Sequence, residues 1–294
     1  MGVFAALGTA LCWAIAARLF SVTGNAFSPL TMNFWKGLIS IALLGVVLVV
    51  VQPTLSSTNA VIWLLVSGFI GIGIGDTCFF KALQSIGDSQ AVLVAETLAP
   101  LFTALFAMAF IGEWITWQQW IGVAVVLFSV DMVIKTRKRN ATHVFATSGY
   151  LYGVGAALCQ SVGAVVSRDI LGSGDVDAAS AAFLRLVGGM VFVVPFIAVT
   201  KTRWLPVITE GKRVWPAFVV ATLLGTTAAI YLQMFAFAYA KAAVVQTLIA
   251  TSALMSLGVA FVLGEKATKA TLLWSVIALV GVGILVSFGD NTIH

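Results

Sequence analysis

The sequence predicts an all-α membrane protein in which ten transmembrane helices form two inverted five-helix repeats. Three observations lead to this prediction. Only 9% of the residues are charged and 61% are hydrophobic, whereas soluble domains contain about 25% charged residues. Apolar runs of about 20 residues, the length that crosses a bilayer, recur along the whole chain. Two stretches of the first half also resemble two stretches of the second. A water-soluble globular fold is therefore excluded.

Polar residues, glycines and prolines divide the chain into successive apolar runs. Helices are expected because lipid cannot satisfy exposed backbone polar groups. The predicted spans lie near residues 2–22, 29–51, 60–82, 88–110, 116–134, 147–169, 178–199, 214–239, 242–263 and 270–288. The net charge of +5 comes mainly from basic residues in the short gaps between runs, so it indicates membrane topology and not nucleic-acid binding.

An internal repeat relates the two halves. Aligning residues 2–18 with 149–165 gives six identities, which include Gly2 with Gly149 and Cys12 with Cys159. Aligning 91–113 with 243–265 pairs Ala-Val, Leu and Gly-Glu. The shift along the sequence that produces each alignment differs by only five residues between the two alignments. We therefore predict a first repeat over residues 1–139 and a second over 140–294.

An odd number of helices in each repeat makes the second repeat enter the membrane from the opposite side. This arrangement is typical of transporters, because two similar bundles can rock about a shared site near the midplane. The glycine runs 71–75, 188–189 and 281–283 would allow the close helix approach that such an interface needs, although static packing explains each run equally well.

The distribution of lysine and arginine predicts the orientation. Two basic residues, Arg168 and Lys241, lie in gaps after even-numbered spans. The gaps after odd-numbered spans hold eleven: Lys81, Lys135, Arg137, Lys138, Arg139, Lys201, Arg203, Lys212, Arg213, Lys266 and Lys269. By the positive-inside rule these eleven face the cytoplasm, which places both termini outside. We expect a multi-pass protein of the cytoplasmic (inner) membrane of a prokaryote.

Short motifs resemble the EamA-like branch of the drug/metabolite transporter superfamily. They are residues 82–87 (Ala-Leu-Gln-Ser-Ile-Gly), Ala91, Pro100 and residues 110–113 (Phe-Ile-Gly-Glu), with echoes at residues 236–238, 242–243 and 263–265. The resemblance covers nearly the whole chain. It implies export or exchange of small metabolites, amino acids among them, through a cavity built by the first four helices of each half. Many relatives have a basic gap after the second helix and cytoplasmic termini, whereas residues 52–59 carry no charge here.

Glu96 is the most informative single residue. It lies about 12 Å along the fourth span, close to the bilayer midplane, where an acid costs about 2.5–3.5 kcal/mol and should face a cavity or a partner. Pro100 lacks an N–H, so it leaves the carbonyl of Glu96 without its helical donor. We predict that Glu96 binds a cationic substrate group or carries a coupling proton. A structural acid bonded to a neighbouring helix is the alternative.

Three further charged residues lie inside spans. Lys36 and Arg185 occupy similar places in the second and seventh spans, where they could contact a charged substrate, form gates, or extend their head groups to the membrane surface. Asp76 follows the first glycine run and could contact substrate, pack helices or gate.

Aromatic and amide side chains on the cavity-forming spans complete the predicted binding site, because small-molecule pockets combine apolar walls with a few polar groups. The predicted substrate-binding residues are Trp13, Trp35, Lys36, Asp76, Glu96, Tyr152, Gln160, Arg185, Tyr231, Gln233 and Gln246. Glu96 is also the predicted proton-coupling residue. The sequence contains no metal-ligand spacing, cofactor motif or catalytic motif.

We therefore predict a secondary active transporter, not an enzyme, that moves a small polar or amphipathic metabolite by alternating access. Its partners would be that substrate, protons as a candidate coupling ion, and membrane lipid. A channel or passive scaffold is the first alternative, and an intramembrane enzyme acting on lipid is the second.

Overall fold

The chain is helical throughout the part that the structure covers. The computed structural model describes residues 1–23, 26–51, 57–86, 88–137, 147–207, 214–262 and 269–288, and these residues contain no strand. The α-helices are α1 (Gly2–Thr23), α2 (Pro29–Val51), α3 (Thr58–Gly68), α4 (Asp76–Ile86), α5 (Asp88–Phe110), α6 (Trp117–Arg137), α7 (Thr147–Ser173), α8 (Ala178–Thr200), α9 (Val214–Thr222), α10 (Ala229–Tyr239), α11 (Ala242–Ala250), α12 (Ser252–Val262) and α13 (Lys269–Ser287). The all-helical prediction is confirmed.

Six helical stretches are long and apolar enough to cross a bilayer: Gly2–Phe20, Pro29–Val50, Thr58–Ala82, Thr147–Ser173, Ala178–Thr200 and Val214–Tyr239. Three shorter apolar helices are Val94–Phe110, Ala242–Ser256 and Leu272–Ser287. Valines and leucines on α2 and α13 are exposed on the outside of the bundle, as lipid-facing surfaces require. A membrane-embedded, multi-pass protein follows, while the count of ten spans stays a prediction.

Several sequence features lie outside the described residues. They are the boundary between residues 139 and 140, the motif residues Gly87, Gly264 and Glu265, and the basic residues Lys138, Arg139, Lys212, Arg213 and Lys266.

Two π-helical segments interrupt long helices that the sequence predicts as uniform. The first π segment, Phe69–Gly75, joins α3 to α4, and the second, Leu223–Ala228, joins α9 to α10. Side chains from other helices bind the backbone there: the Asn33 amide donates to the carbonyl of Ile72 (3.1 Å), and the Trp13 indole donates to the carbonyl of Gly225 (3.0 Å). Such π segments are rare and are frequent at functional sites.

A third interruption separates α11 from α12. The Thr251 N–H bonds to the carbonyl of Leu248 (3.1 Å), three residues back, and the Thr251 hydroxyl bonds to the same carbonyl (2.6 Å). This tighter turn ends α11, so the predicted uniform span 242–263 is two helices.

Close glycine contacts join the two halves. Gly71, Gly73 and Gly75 pack against α7 and α8; a Cβ on Gly73 would lie 2.7 Å from the Cβ of Phe192. A Cβ on Gly188 would collide with the carbonyl of Leu65. The prediction that these runs allow close helix approach is confirmed for residues 71–75 and 188–189. Gly281 packs closely on α6, whereas Gly283 faces open space.

We expect Gly188→Ala to destabilise the protein by about 1–3 kcal/mol, because the added methyl group meets backbone that cannot rotate away. Gly283→Ala is the matched control. It places the same methyl group in open space and should be neutral or slightly stabilising, because alanine favours helix. Thermal unfolding in detergent measures both, and equal melting temperatures would contradict the packing role of Gly188.

Candidate functional site

Lys36 and Asp76 form an ion pair inside the bundle. Lys36 Nζ on α2 lies 2.5 Å from Asp76 Oδ2 at the start of α4, and it also lies 5.1 Å from the centre of the Phe80 ring. The Asp76 side chain keeps 32% of its surface exposed, against 11% for Lys36. The carboxylate therefore remains reachable from the space between the helices, while the ammonium group is enclosed.

Arg185 on α8 is almost completely buried, with 5% of its surface exposed. Its Nη1 lies 3.7 Å from Met234 Sδ on α10, and its Nε has no hydrogen-bond acceptor among the described residues. A Cβ on Gly71 or Gly163 would come within 3.0 or 2.8 Å of Nη2, so these two glycines provide the space for the guanidinium group.

Lys36 and Arg185 are both buried, and their charged ends contact other helices of the bundle. Buried charges need a partner or a ligand. Lys36 has Asp76 as a direct partner, whereas Arg185 makes no ion pair within 4 Å in the described part of the chain.

Glu96 lies half-buried in α5, one turn before the buried Pro100. No hydrogen bond or ion pair joins its carboxyl group to another described residue. The hydroxyls of Thr97 and Thr103 on the same helix are buried and also lack partners within the described residues. This part of α5 therefore offers several polar groups whose hydrogen-bonding capacity is free for water or a ligand.

The amide candidates differ in burial. Gln246 on α11 is 2% exposed, and neither its amide nitrogen nor its amide oxygen has a partner among the described residues. Gln233 on α10 is also buried, while Gln160 on α7 is half-buried. A buried amide without partners costs about 1–3 kcal/mol, so Gln246 is suited to a bound water or a substrate group.

The aromatic candidates are partly engaged in packing. Trp13 binds the second π segment, and Trp35 donates to the carbonyl of Trp204 (2.8 Å) within a cluster that includes Trp215. Lys81 Nζ lies over the Tyr152 ring, 5.3 Å from the ring centre, and Tyr231 is partly exposed. Among the candidates, the structure joins Lys36 directly to Asp76. It shows no direct hydrogen bond between the other described candidates.

Sequence reasoning missed a second charged cluster. Arg168 Nε on α7 lies 2.8 Å from Glu113 Oε1, in the turn after α5. The other oxygen of Glu113 accepts from the N–H of Ala242 (2.7 Å), and Arg168 Nη1 donates to the carbonyls of Phe237 and Ala238. The sequence shows Glu113 as a motif residue and Arg168 as a topology signal. Their separation of 55 residues gives no sign that they meet.

We expect Lys36→Met or Asp76→Asn alone to destabilise the protein by about 2 kcal/mol or more, because each leaves a mostly enclosed charge unpaired. The double variant should lose less than the sum of the two single variants, because it leaves neither charge behind. Thermal unfolding in detergent gives the four values of the cycle. The surface pair Asp131–Lys135, which lies within α6 at 2.6 Å, is the control and should show little coupling. Additive losses at Lys36 and Asp76 would contradict the pairing.

Comparison with known proteins gives a family and a fold. The sequence profile of the EamA-like transporter family matches residues 1–134 and 147–287. No curated protein matches the chain significantly. One solved crystal structure superposes with a TM-score of 0.79, covering 96% of this chain and 95% of that chain at 20% sequence identity, which shows the fold. Because the family profile covers nearly the whole chain in two halves, this protein belongs to the EamA-like transporter family.

Proposed function

We propose that this protein is a secondary active transporter that moves a small polar or amphipathic metabolite by alternating access. The observation that carries the proposal is the carboxyl group of Glu96, a half-buried residue inside an apolar helix, which has no partner among the described residues. An acid in this position is costly unless a cation, a proton or water neutralises or solvates it. A carrier that binds and releases such a species explains why the acid is there.

The proposed architecture is ten spans in two inverted repeats, residues 1–139 and 140–294. The helix contacts support this architecture, because equivalent helices of the two halves make equivalent contacts with the other half. The first π segment packs on α7 and α8, the first two long helices of the second half, and the second π segment packs on α1 and α2 of the first half. A Cβ on Gly2 would lie 2.9 Å from the Cβ of Ala240 after α10, and one on its repeat mate Gly149 would lie 2.8 Å from the Cβ of Ser85 in α4.

The charges favour a substrate with both polar and ionic groups. Arg185 offers a cation without a direct acidic partner, Asp76 offers a partly exposed carboxylate, and Gln246 offers an unused amide. Such a set suits a zwitterion, so an amino acid is our first candidate, in keeping with the metabolites that the family resemblance implies. Glu96 would then bind the cationic group or carry a coupling proton. The transport cycle that we propose uses no cofactor or metal and makes no chemical change to the substrate.

The orientation that we propose places the turn between α7 and α8 outside the cell and the segment after α8 in the cytoplasm. We expect Asp175→Cys to react with a membrane-impermeant maleimide on intact cells, and Arg203→Cys to react only after permeabilisation. The native cysteines Cys12, Cys78 and Cys159 are first replaced by serine. The reverse pattern would show that the charge distribution misleads and that the termini are cytoplasmic. Labelling of both sites on intact cells would contradict an odd number of crossings between them.

The transport proposal is tested with purified protein. Amino acids and related metabolites are screened for a rise in the melting temperature in detergent, because a ligand that binds the folded state stabilises it. The best ligand is then measured in proteoliposomes across pH. A carrier shows saturable counterflow, whereas a channel conducts without saturation and a scaffold moves nothing. Turnover of labelled lipid by the same preparation would instead favour the intramembrane enzyme.

We expect Glu96→Gln to lower counterflow at least about tenfold and to flatten its dependence on pH, because the amide neither carries a proton nor attracts a cation. Asp131→Asn, which removes an acid from a surface pair, is the matched control and should leave rate and pH profile unchanged. Wild-type behaviour of Glu96→Gln would rule out both predicted roles of Glu96.

A further inference from the structure

The Glu113–Arg168 cluster lies at one end of the helix bundle, which we call the Glu113 end. Gly2, Ala240 and Phe288 lie at the same end: Gly2 packs on Ala240, and the Gln119 side chain of α6 donates to the carbonyl of Phe288 (3.2 Å). The cluster is therefore close to a membrane surface. The ion pair of Lys36 and Asp76, by contrast, lies well inside the helices.

Glu113 connects the first half to three elements of the second. Its carboxylate binds Arg168 of α7 and the first N–H of α11, and Arg168 continues the network to the last carbonyls of α10. Lys241 adds a further bond between the halves, from its Nζ to the carbonyl of Trp114 (2.6 Å). The anion lies at a helix N-terminus and the cation at a helix C-terminus, so both charges complement the helix dipoles.

We propose that the Glu113–Arg168 ion pair is a gate that closes the transport path at the Glu113 end and breaks when the path opens there. The inference rests on the transport function proposed above. It adds two functional residues that are absent from the predicted binding site.

The physical argument compares the contacts that join the halves. At Gly188 and Leu65 the backbones themselves touch, so separation there would lose dense packing that nothing can replace. At the Glu113 end Gly2 also packs closely on Ala240, but the contacts of Glu113 and Arg168 are hydrogen bonds, and these two side chains keep 11% and 21% of their surface exposed. Water that enters an opening path at this end can replace the hydrogen bonds that the two side chains lose when they separate.

The experiment measures access to the interior without any substrate. In a background without native cysteines, Gln233→Cys serves as the reporter, because Gln233 lies on α10 beside Met234, which contacts Arg185. Right-side-out and inside-out membrane vesicles are treated with a small cationic thiosulfonate reagent. We expect Glu113→Gln and Arg168→Gln each to raise the rate of modification from the Glu113 end about tenfold, which corresponds to a shift of about 1.4 kcal/mol between closed and open states.

Two further variants complete the experiment, one as a control and one as an alternative to Glu113→Gln. Asp131→Asn removes an ion pair within one helix and should leave the rate unchanged. Glu113→Asp keeps the charge but shortens the side chain, so it breaks the contact if Glu113→Gln does not fold.

Unchanged modification rates in folded Glu113 and Arg168 variants would overturn the gate, because the ion pair would then be a structural contact that does not control access. An equal rise with Asp131→Asn would overturn it as well, because the effect would then be general loosening. The transport proposal is judged separately, by saturable counterflow of the wild-type protein. Raised access at the Glu113 end in a protein without counterflow would indicate a gated channel.

Discussion

The guanidinium group of Arg185 lies between the two halves of the bundle, against Gly71 of the first half and Gly163 of the second. A charge in this position requires space, and Gly71 and Gly163 provide it because neither carries a side chain. The same glycine-rich surfaces bring α3 and α8 into backbone contact at Gly188. In a bilayer, where helices gain no hydrophobic energy from association, such close packing is the main attraction between them. The position of Arg185 and the contact between the halves therefore depend on different glycines of one interface.

Hydrophobicity alone predicts most of the helical architecture. The predicted run 88–110 coincides with α5, and 178–199 ends one residue before α8 does. Local pattern could not reveal the interruptions, because a π segment depends on contacts from elsewhere: Asn33 binds the first and Trp13 binds the second. The sequence also places Glu96 inside a helix and Lys36 within reach of the interior. It could not show that Lys36 pairs with Asp76, 40 residues away, since that pairing depends on how α2 and α4 pack.

The two ends of the bundle join the halves by different proportions of polar and aromatic contacts. At the Glu113 end, charged side chains bind helix termini. At the opposite end, Phe27 stacks on Phe218 with ring centres 4.3 Å apart, and the Trp35 indole meets Trp215 edge to face and donates to the carbonyl of Trp204. Water competes for polar contacts but not for stacked rings. Water can therefore replace a larger share of the contacts at the Glu113 end than at the opposite end, although equivalent helices of the two halves form both ends.

This difference bears on the alternating access proposed above, in which two similar halves open to either side in turn. Exact symmetry would make the states open to the two sides of the membrane equally stable, and the cycle would have no preferred resting state. Here the second π segment binds a side chain from the other half, the Trp13 indole, whereas the first π segment binds the Asn33 amide of its own half. In the proposed cycle, similar backbones held by unlike contacts would give two states of unequal free energy. A bound substrate needs to offset only that difference, because a ligand shifts an equilibrium by its differential affinity for the two states.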